Sequence, residues 1–239
     1  MLAALEGTHH VTYVLVARSA GGAATSIRAK AAQVGVPVRF VERAELDDLA
    51  FGGNHQGVVA LLQPDEVTAP EDLLELPSHG VRPALILAAD RVQDVGNLGS
   101  LVRTLDAVGG AGLLMPARHT AGLSGGLARA SAGASLRTRI VRVPNLVRAL
   151  RDLGQRGVHI IGLSADAEGD LDSLQPQGPC CLVVGNESKG LRRLVRGACD
   201  ELVRIPMLGG VGSLNVGVAG GLVLYHVARS RWESSTNGQ

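Results

Sequence analysis

The sequence predicts an α/β protein whose C-terminal part is a mostly parallel sheet with helices on both faces, preceded by a small α/β unit. Three observations predict it. From residue 81 onward, short apolar runs alternate with helical stretches, the pattern of strand–helix–strand units. Runs such as ALILAA (84–89) are apolar at every position, as in strands buried on both faces. Residues 63–80 (QPDEVTAPEDLLELPSHG) break the composition with prolines, acids and no base, and so mark a linker.

The elements follow in order. Residues 10–17 (HVTYVLVA) are β-branched and end at the turn cluster RSAGG, predicting the first strand. Residues 26–34 have helical composition and stop at Gly35; 36–41 and 58–62 supply two further strands. An opening helix at residues 2–5 is expected to be short or missing. A unit of this size gains from packing on a neighbour. The linker has room for one helical turn at most. Beyond it, strands are predicted at 84–89, 112–115, 158–163, 181–184 and 202–205, and helices at 97–108, 145–156, 190–196 and 213–228. The expected organisation is thus a front unit at 1–62, a linker at 63–80, a main domain at 81–233 and a flexible tail at 234–239.

Composition excludes several classes. The 239 residues are 46% hydrophobic, enough for a sizeable core. No apolar run reaches 18 residues without a charge or a glycine cluster, so no membrane span is expected. No secretory signal pattern stands at the N-terminus, which predicts a cytoplasmic protein. Cys180, Cys181 and Cys199 are spaced for neither a disulfide framework nor a zinc site, and Cys180 and Cys181 read as core filler. His9 and His10 have no partner at ligand spacing, so no metal is expected. The net charge of +1 is uneven. Residues 63–79 carry five acids and no bases, whereas 80–239 carry 18 bases against 12 acids. The positive part suits an anionic partner or a solvated basic surface equally well.

In sheets of this kind ligands bind beyond the carboxyl ends of the strands, so three loops matter. The first, DRVQDVGNLGSLVR (90–103), leads into a helix for which Asn97 is a plausible cap. Leu98, Leu101, Val102, Leu105 and Val108 share one helical face and Arg103 projects from the other. The second, GNESKGL (185–191), is bounded by glycines that permit close backbone approach to a small ligand; an ordinary strand-to-helix turn with Glu187 at the helix start is the plainer reading. The third, IPMLGGVGSLNVGVA (205–219), is glycine-rich ahead of Ser213, which looks like a cap. It lacks G-x-G-x-x-G and G-K-[ST], so neither nucleotide fingerprint fits.

Together DVGNLGSLVRT (94–104), LVVGNESKGL (182–191) and IPMLGGVGSLNVGVA (205–219) resemble, in order and spacing, the SpoU family of S-adenosylmethionine-dependent RNA ribose 2′-O-methyltransferases, within the SPOUT superfamily. His55-Gln56-Gly57 before an apolar strand resembles the close of that family's small RNA-binding domain, itself similar to a ribosomal protein. The resemblance implies a deep trefoil knot in the C-terminal domain. It implies S-adenosylmethionine held mainly by backbone groups at Gly185, Ile205, Met207 and Leu214. Asn97, Arg103, Glu187, Ser213 and Asn215 match the family's motif residues for catalysis. Because a guanidinium has a pKa above about 12, Arg103 is read as a clamp on the phosphate beside the target ribose and not as a base. Glu187 would orient Arg103 or accept a hydrogen bond from the nucleotide, and Asn97 and Asn215 would hold loops and substrate.

The implied partners are RNA, with a 23S rRNA guanosine as the leading target, and a second copy in a homodimer, for which the apolar last helix is a reasonable surface. A tRNA guanosine, an rRNA adenosine whose methylation confers antibiotic resistance, and a non-catalytic RNA-binding factor on the same fold stand as alternatives. Two departures from the family pattern stand out. Gly217 replaces a common Ser or Ala, loosening a helix start by about 1 kcal/mol. The opening helix of the front unit also looks truncated. Arginines 118, 129, 137, 139 and 142, with 192, 193 and 196, are candidates for RNA phosphates. With two Phe, two Tyr and one Trp, base stacking is scarce, so recognition is expected to rest on charge and RNA shape.

Overall fold

The computed structural model of the chain describes residues 2–6, 11–50, 54–62, 69–75, 83–122 and 125–236. His9 and His10, and most of the linker, lie outside them.

The first unit contains α1 (Leu2–Glu6), β1 (Val11–Ala17), α2 (Ala23–Gln33), β2 (Val38–Val41), α3 (Arg43–Leu49) and β3 (Val58–Leu62). Its sheet has the order β2-β1-β3, with β1 parallel to β2 and antiparallel to β3. The central strand is apolar almost throughout because both faces are used. Val14 and Val16 pack against Ala24, Ile27 and Ala31 of α2 and Leu5 of α1. Leu15 and Ala17 face Leu46 of α3. The short opening helix is present; α3 escaped the sequence reading because Leu46 is its one buried residue. His55 fixes the turn into β3. Its Nδ1 accepts from the Gly57 amide at 3.0 Å while Nε2 meets Asp47 Oδ1 at 2.7 Å, and Gln56 and Gly57 both take positive φ.

The second part begins with α4 (Asp72–Glu75), a single turn in the predicted linker. Then come β4 (Leu85–Ala89), α5 (Val95–Ala107), β5 (Gly112–Pro116), α6 (Gly125–Ala130), β6 (Ile140–Val143), α7 (Leu146–Gln155), β7 (His159–Leu163), β8 (Gly169–Asp170), β9 (Cys180–Val184), α8 (Arg193–Arg196), β10 (Glu201–Arg204) and α9 (Val216–Thr236), with 3-10 turns at Ala134–Leu136 and Leu171–Ser173. The seven strands run in the order β6-β5-β4-β9-β7-β10-β8, and every pairing is parallel. The predicted class therefore holds: a parallel sheet with helices on both faces, and a separate small sheet in front.

Side-chain alternation divides the core. Leu85, Leu87 and Ala89 of β4 point to the face covered by α5, α6 and α9. Ile86 and Ala88 point to the face covered by α7 and α8. The four fully buried α5 residues Leu98, Leu101, Val102 and Leu105 each contribute about 1.5–3 kcal/mol by burial. Leu73 of α4 joins the second core and is fully buried, because Gly112 on β5 leaves room for its Cδ2. The predicted linker thus supplies a core residue. Both Cys180 and Cys181 are buried filler, as expected.

Several boundaries differ from expectation. Strand β6 was hidden by Arg142, which the sheet edge exposes between buried Val141 and Val143. Helix α6 has two glycines in six residues and too weak a propensity to be read. The helix expected at 190–196 spans only Arg193–Arg196, because Asn186 and Gly190 first close a tight antiparallel bridge.

Candidate active site

Chain order runs outward from β4 to β6 and then resumes on the other side of β4, so the switch point of the sheet lies at β4 and β9. That is where open parallel sheets form a ligand crevice. The loops after β4 and β9 leave adjacent strands; the loop after β10 leaves from beyond β7 and returns to the same edge to start α9.

Asp94 and not Asn97 caps α5: its Oδ1 accepts from the Asn97 amide at 2.7 Å, so the helix starts at Val95. An aspartate two residues before Gly96 outcompetes the later asparagine, whose side chain is thereby freed for other work. Likewise Asn215 and not Ser213 caps α9, its Oδ1 accepting from Gly217 at 2.9 Å and Val218 at 3.3 Å. Ser213 is exposed and makes no hydrogen bond with a described residue.

The freed groups form one network across the three loops. Asn215 Nδ2 donates to Asn97 Oδ1 at 2.8 Å. Asn97 Nδ2 donates to Glu187 Oε1 at 3.2 Å, and the Asp94 amide donates to the same oxygen at 3.2 Å. The second carboxylate oxygen of Glu187 accepts from Asn186 Nδ2 at 3.1 Å. The Asn186 side-chain amide also reaches the Arg91 carbonyl at 3.1 Å, while its Oδ1 receives the Ser188 and Lys189 amides. The structure therefore unites Asn97, Glu187 and Asn215. Glu187 is committed to this network and does not touch Arg103, and it does not stand at a helix start.

Next to the second loop lies an ion pair between a buried acid and a half-buried arginine that sequence reasoning missed. Asp90 is fully buried, and its carboxylate receives the Arg192 amide at 3.1 Å, Nε at 2.7 Å and one terminal nitrogen at 2.6 Å. It ties the end of β4 to the chain after the second loop. The only signal in the sequence was an aspartate directly after an apolar strand.

Glycines set the close packing. A Cβ on Gly185 would overlap the Gly190 and Leu191 backbones, so the chain itself uses the space that this glycine leaves. On α9, a Cβ on Gly220 would strike Leu101, and one on Gly217 would lie 3.2 Å from Ser100 Cβ. Gly217 is thus less a loosened helix start than a contact with α5.

Arg103 is exposed on α5 and makes no hydrogen bond or ion pair among the described residues. One turn earlier, Ser100 is small and exposed, whereas the space that Gly99 leaves is taken by Ala130 of α6. Of the other candidate arginines, Arg137 pairs with Asp106, Arg142 reaches the Ala117 carbonyl, and Arg196 pairs with Asp166. Arg118, Arg129 and Arg193 are exposed without such partners among the described residues.

In the third loop Ile205 and Met207 are half-buried, Leu214 is exposed, and Leu208 is fully exposed. Residues 206–214 make no backbone hydrogen bond with a described residue. No cluster of three or more His, Cys, Asp or Glu side chains able to hold a metal occurs among the described residues.

The parallel sheet, its tied loops and the separate front sheet define an α/β protein of the SPOUT class. The chain belongs to the SpoU rRNA methylase family, whose sequence model matches residues 84–225. A model described as RNA 2′-O ribose methyltransferase substrate binding matches residues 2–68. The chain is 43% identical over 201 residues to a protein of Mycolicibacterium vanbaalenii named as an uncharacterized tRNA/rRNA methyltransferase, a match covering 84% of this chain and 64% of that protein. A Mycobacterium avium protein of the same name is 42% identical over 219 residues, covering 92% of this chain and 71% of its own length. The chain thus spans less than two thirds of the first of these relatives. Among solved structures, the SpoU methyltransferase AviRb from Streptomyces viridochromogenes in complex with AdoMet matches with a TM-score of 0.77 at 25% identity, covering 97% of this chain and 87% of that one. An AdoMet-bound rRNA methyltransferase from Sinorhizobium meliloti matches with a TM-score of 0.73 at 26% identity, covering 95% and 84%.

Proposed function

We propose that this chain transfers a methyl group from S-adenosylmethionine to a ribose 2′-hydroxyl of RNA, with a guanosine of 23S rRNA as the first target to test. The observation that carries the reading is the Asn215–Asn97–Glu187 chain of hydrogen bonds, which joins all three strand-end loops; α5, which holds Asn97, also carries Arg103, exposed and without a partner among the described residues.

The residues fit the methyl donor. Along 206–214 the backbone N–H and C=O groups are unpaired with described residues and exposed, in a loop that carries Met207, Leu208, Val211 and Leu214, so that groups for an adenine edge and apolar side chains for its face come from one segment. Gly185, Ile205, Met207 and Leu214 would hold it. Bound there, S-adenosylmethionine supplies an electrophilic methyl on a sulfonium. The protein's own part is mostly placement, which can remove several kcal/mol of barrier. Asn97 and Asn215 hold the first and third loops in register, and Glu187 fixes the second loop to both. Arg103 stays protonated, clamps the phosphate next to the target ribose and stabilises negative charge developing on the 2′-oxygen. Ser213 is left free to meet the substrate.

The same reading carries the remaining expectations: a front RNA-binding unit at 1–62, a linker at 63–80, a catalytic domain at 81–233 whose last helix threads a trefoil knot, and a tail at 234–239, of which 234–236 still belong to α9. It also carries a homodimer in the cytoplasm. Supporting the dimer, α9 exposes Val218, Leu222, Tyr225 and Trp232, with Leu214 just before it, an apolar stripe at helical spacing. No helix of the described residues is long and apolar enough to cross a membrane.

Incubation of purified protein with tritiated S-adenosylmethionine and either ribosomal or transfer RNA, followed by mapping of alkali-resistant linkages, tests the function. Label in a 23S guanosine is the expected result. Label in tRNA or at an adenosine would move the target within the class, and no label in any RNA would favour a non-catalytic factor.

A further inference from the structure

The front sheet is covered unequally. Helix α2 seals one face, but on the other the seven-residue α3 buries only Leu46 and leaves a cleft of about 690 Å³ beside it. Its walls include Tyr13, Leu15, Arg39, Glu45, Asp48 and Leu49. Leu49 is 38% exposed.

Tyr13, one of five aromatic residues in the 239 (two Phe, two Tyr and one Trp), turns its ring to the α3 face, as Leu15 and Arg39 do, whereas the ring of Phe40, next along β2, lies on the α2 face. Tyr13 carries a guanidinium over its ring: Arg39 lies 4.7 Å from the Tyr13 centroid. Arg39 forms no ion pair with a described residue, although Glu45 and Asp48 line the same cleft, and these two carboxylates also lack such partners. A guanidinium over a ring leaves its outer side open to a further flat ring. A carboxylate without a partner offers two hydrogen-bond acceptors. The two acids repel a phosphate from the cleft, but they suit a neutral flat ring whose edge donates hydrogen bonds.

We propose that this cleft receives one unpaired RNA base, stacked on the Arg39–Tyr13 pair, with Glu45 and Asp48 accepting from its amino and imino groups; guanine, which presents two adjacent donors on one edge, fits best. The assignment rests on the RNA reading above and adds to it a base-selective site outside the methyl-transfer centre. It revises the expectation that scarce aromatics leave recognition to charge and shape alone.

The test uses the full chain and fluorescence anisotropy at physiological salt. The probes are a short single-stranded RNA of alternating adenosine and guanosine and its counterpart with inosine, which lacks the 2-amino group. Wild-type protein is expected to prefer the guanosine strand several-fold. R39A is expected to weaken binding of that strand roughly tenfold, the scale of one lost stacking contact. The double variant Glu45→Gln with Asp48→Asn is expected to abolish the preference for guanosine over inosine and to weaken the inosine strand, which keeps the imino donor, less than the guanosine strand. All these residues are exposed or at the cleft surface, and unchanged heat on titration with S-adenosylmethionine would show each variant intact. Equal affinity of wild type and R39A, with RNA still bound, would overturn the cleft and leave the methyltransferase reading standing. No binding of either strand by the wild type would overturn the cleft, and absence of methylation of ribosomal and transfer RNA separately would remove the reading beneath it.

Discussion

The side chain of Asn215 donates to that of Asn97 at 2.8 Å across 118 residues of sequence, and both residues act at helix starts. Asn97 receives the tie because Asp94 has taken over capping of α5; Asn215 caps α9 with its oxygen and uses its nitrogen for the tie. One amide therefore serves two purposes. Asn215→Ala removes a cap worth about 1 kcal/mol and frees the third loop from the first. The expected result is a modest fall in melting temperature with a much larger loss of S-adenosylmethionine affinity, measured by scanning calorimetry and titration on the same preparation.

Gly185→Ala places a methyl group against the backbones of Gly190 and Leu191, neither of which can yield as a side-chain tip would. Overpacking typically costs about 1–3 kcal/mol, and a backbone clash belongs at the upper end. Chemical denaturation should register the loss even in the absence of any ligand, which separates packing from cofactor contact.

Arg231 pins α9 at the opposite end of the sheet. It is buried and donates to the carbonyls of Pro83 at 2.7 Å and Gly178 at 2.7 Å and, more weakly, to that of Pro176. These residues stand just before β4 and β9. Arg231→Met keeps the stem and strands the carbonyls, so stability should drop by roughly 3 kcal/mol or more. Urea unfolding followed by circular dichroism reads this directly.

Burial pushes the Cys180 thiol from 9.0 up to about 11, with nearby Arg231 opposing weakly. Burial, with Asp200 adding to it, pushes Cys199 from 9.0 up to about 12. Both shifts favour the neutral thiol in the folded state. Their contribution to stability is therefore full below pH 9 and is lost as pH rises through about 11 and about 12. Folded protein should resist iodoacetamide at neutral pH, and the unfolding free energy should begin to decline once pH exceeds 9.0.

Arg103→Lys keeps the charge but loses the planar fork. Methylation should fall at least tenfold while titration with S-adenosylmethionine is unchanged, because a bidentate phosphate contact is not reproduced by an ammonium. Full turnover by this variant would remove the clamp from the mechanism.

The sheet was legible because its central strands are apolar at every position, and the three loops because glycine and asparagine stand where the chain must turn. Which asparagine caps was not legible. Asp94, Asn97, Ser213 and Asn215 are all competent by type, and only the three-dimensional course of the loops decides among them. Buried Asp90 and its partner Arg192 are 102 residues apart, a pairing no local pattern reveals. Strand β6 and helix α6 sit at the periphery, where short elements need little hydrophobic signal to be held by their neighbours. The trapped Leu73 looked like part of a linker because its burial depends on a glycine in another strand.

The central claim is that three loops tied through Asn97 form the seat of a methyl donor. Isothermal titration of the protein and of its Asn97→Ala variant with S-adenosylmethionine tests it most directly. Saturable heat is expected for the wild type, and an affinity weakened at least tenfold in the variant, which corresponds to about 1.4 kcal/mol or more for the lost tie between the loops. No heat with the wild type, or equal affinity in both, would contradict it.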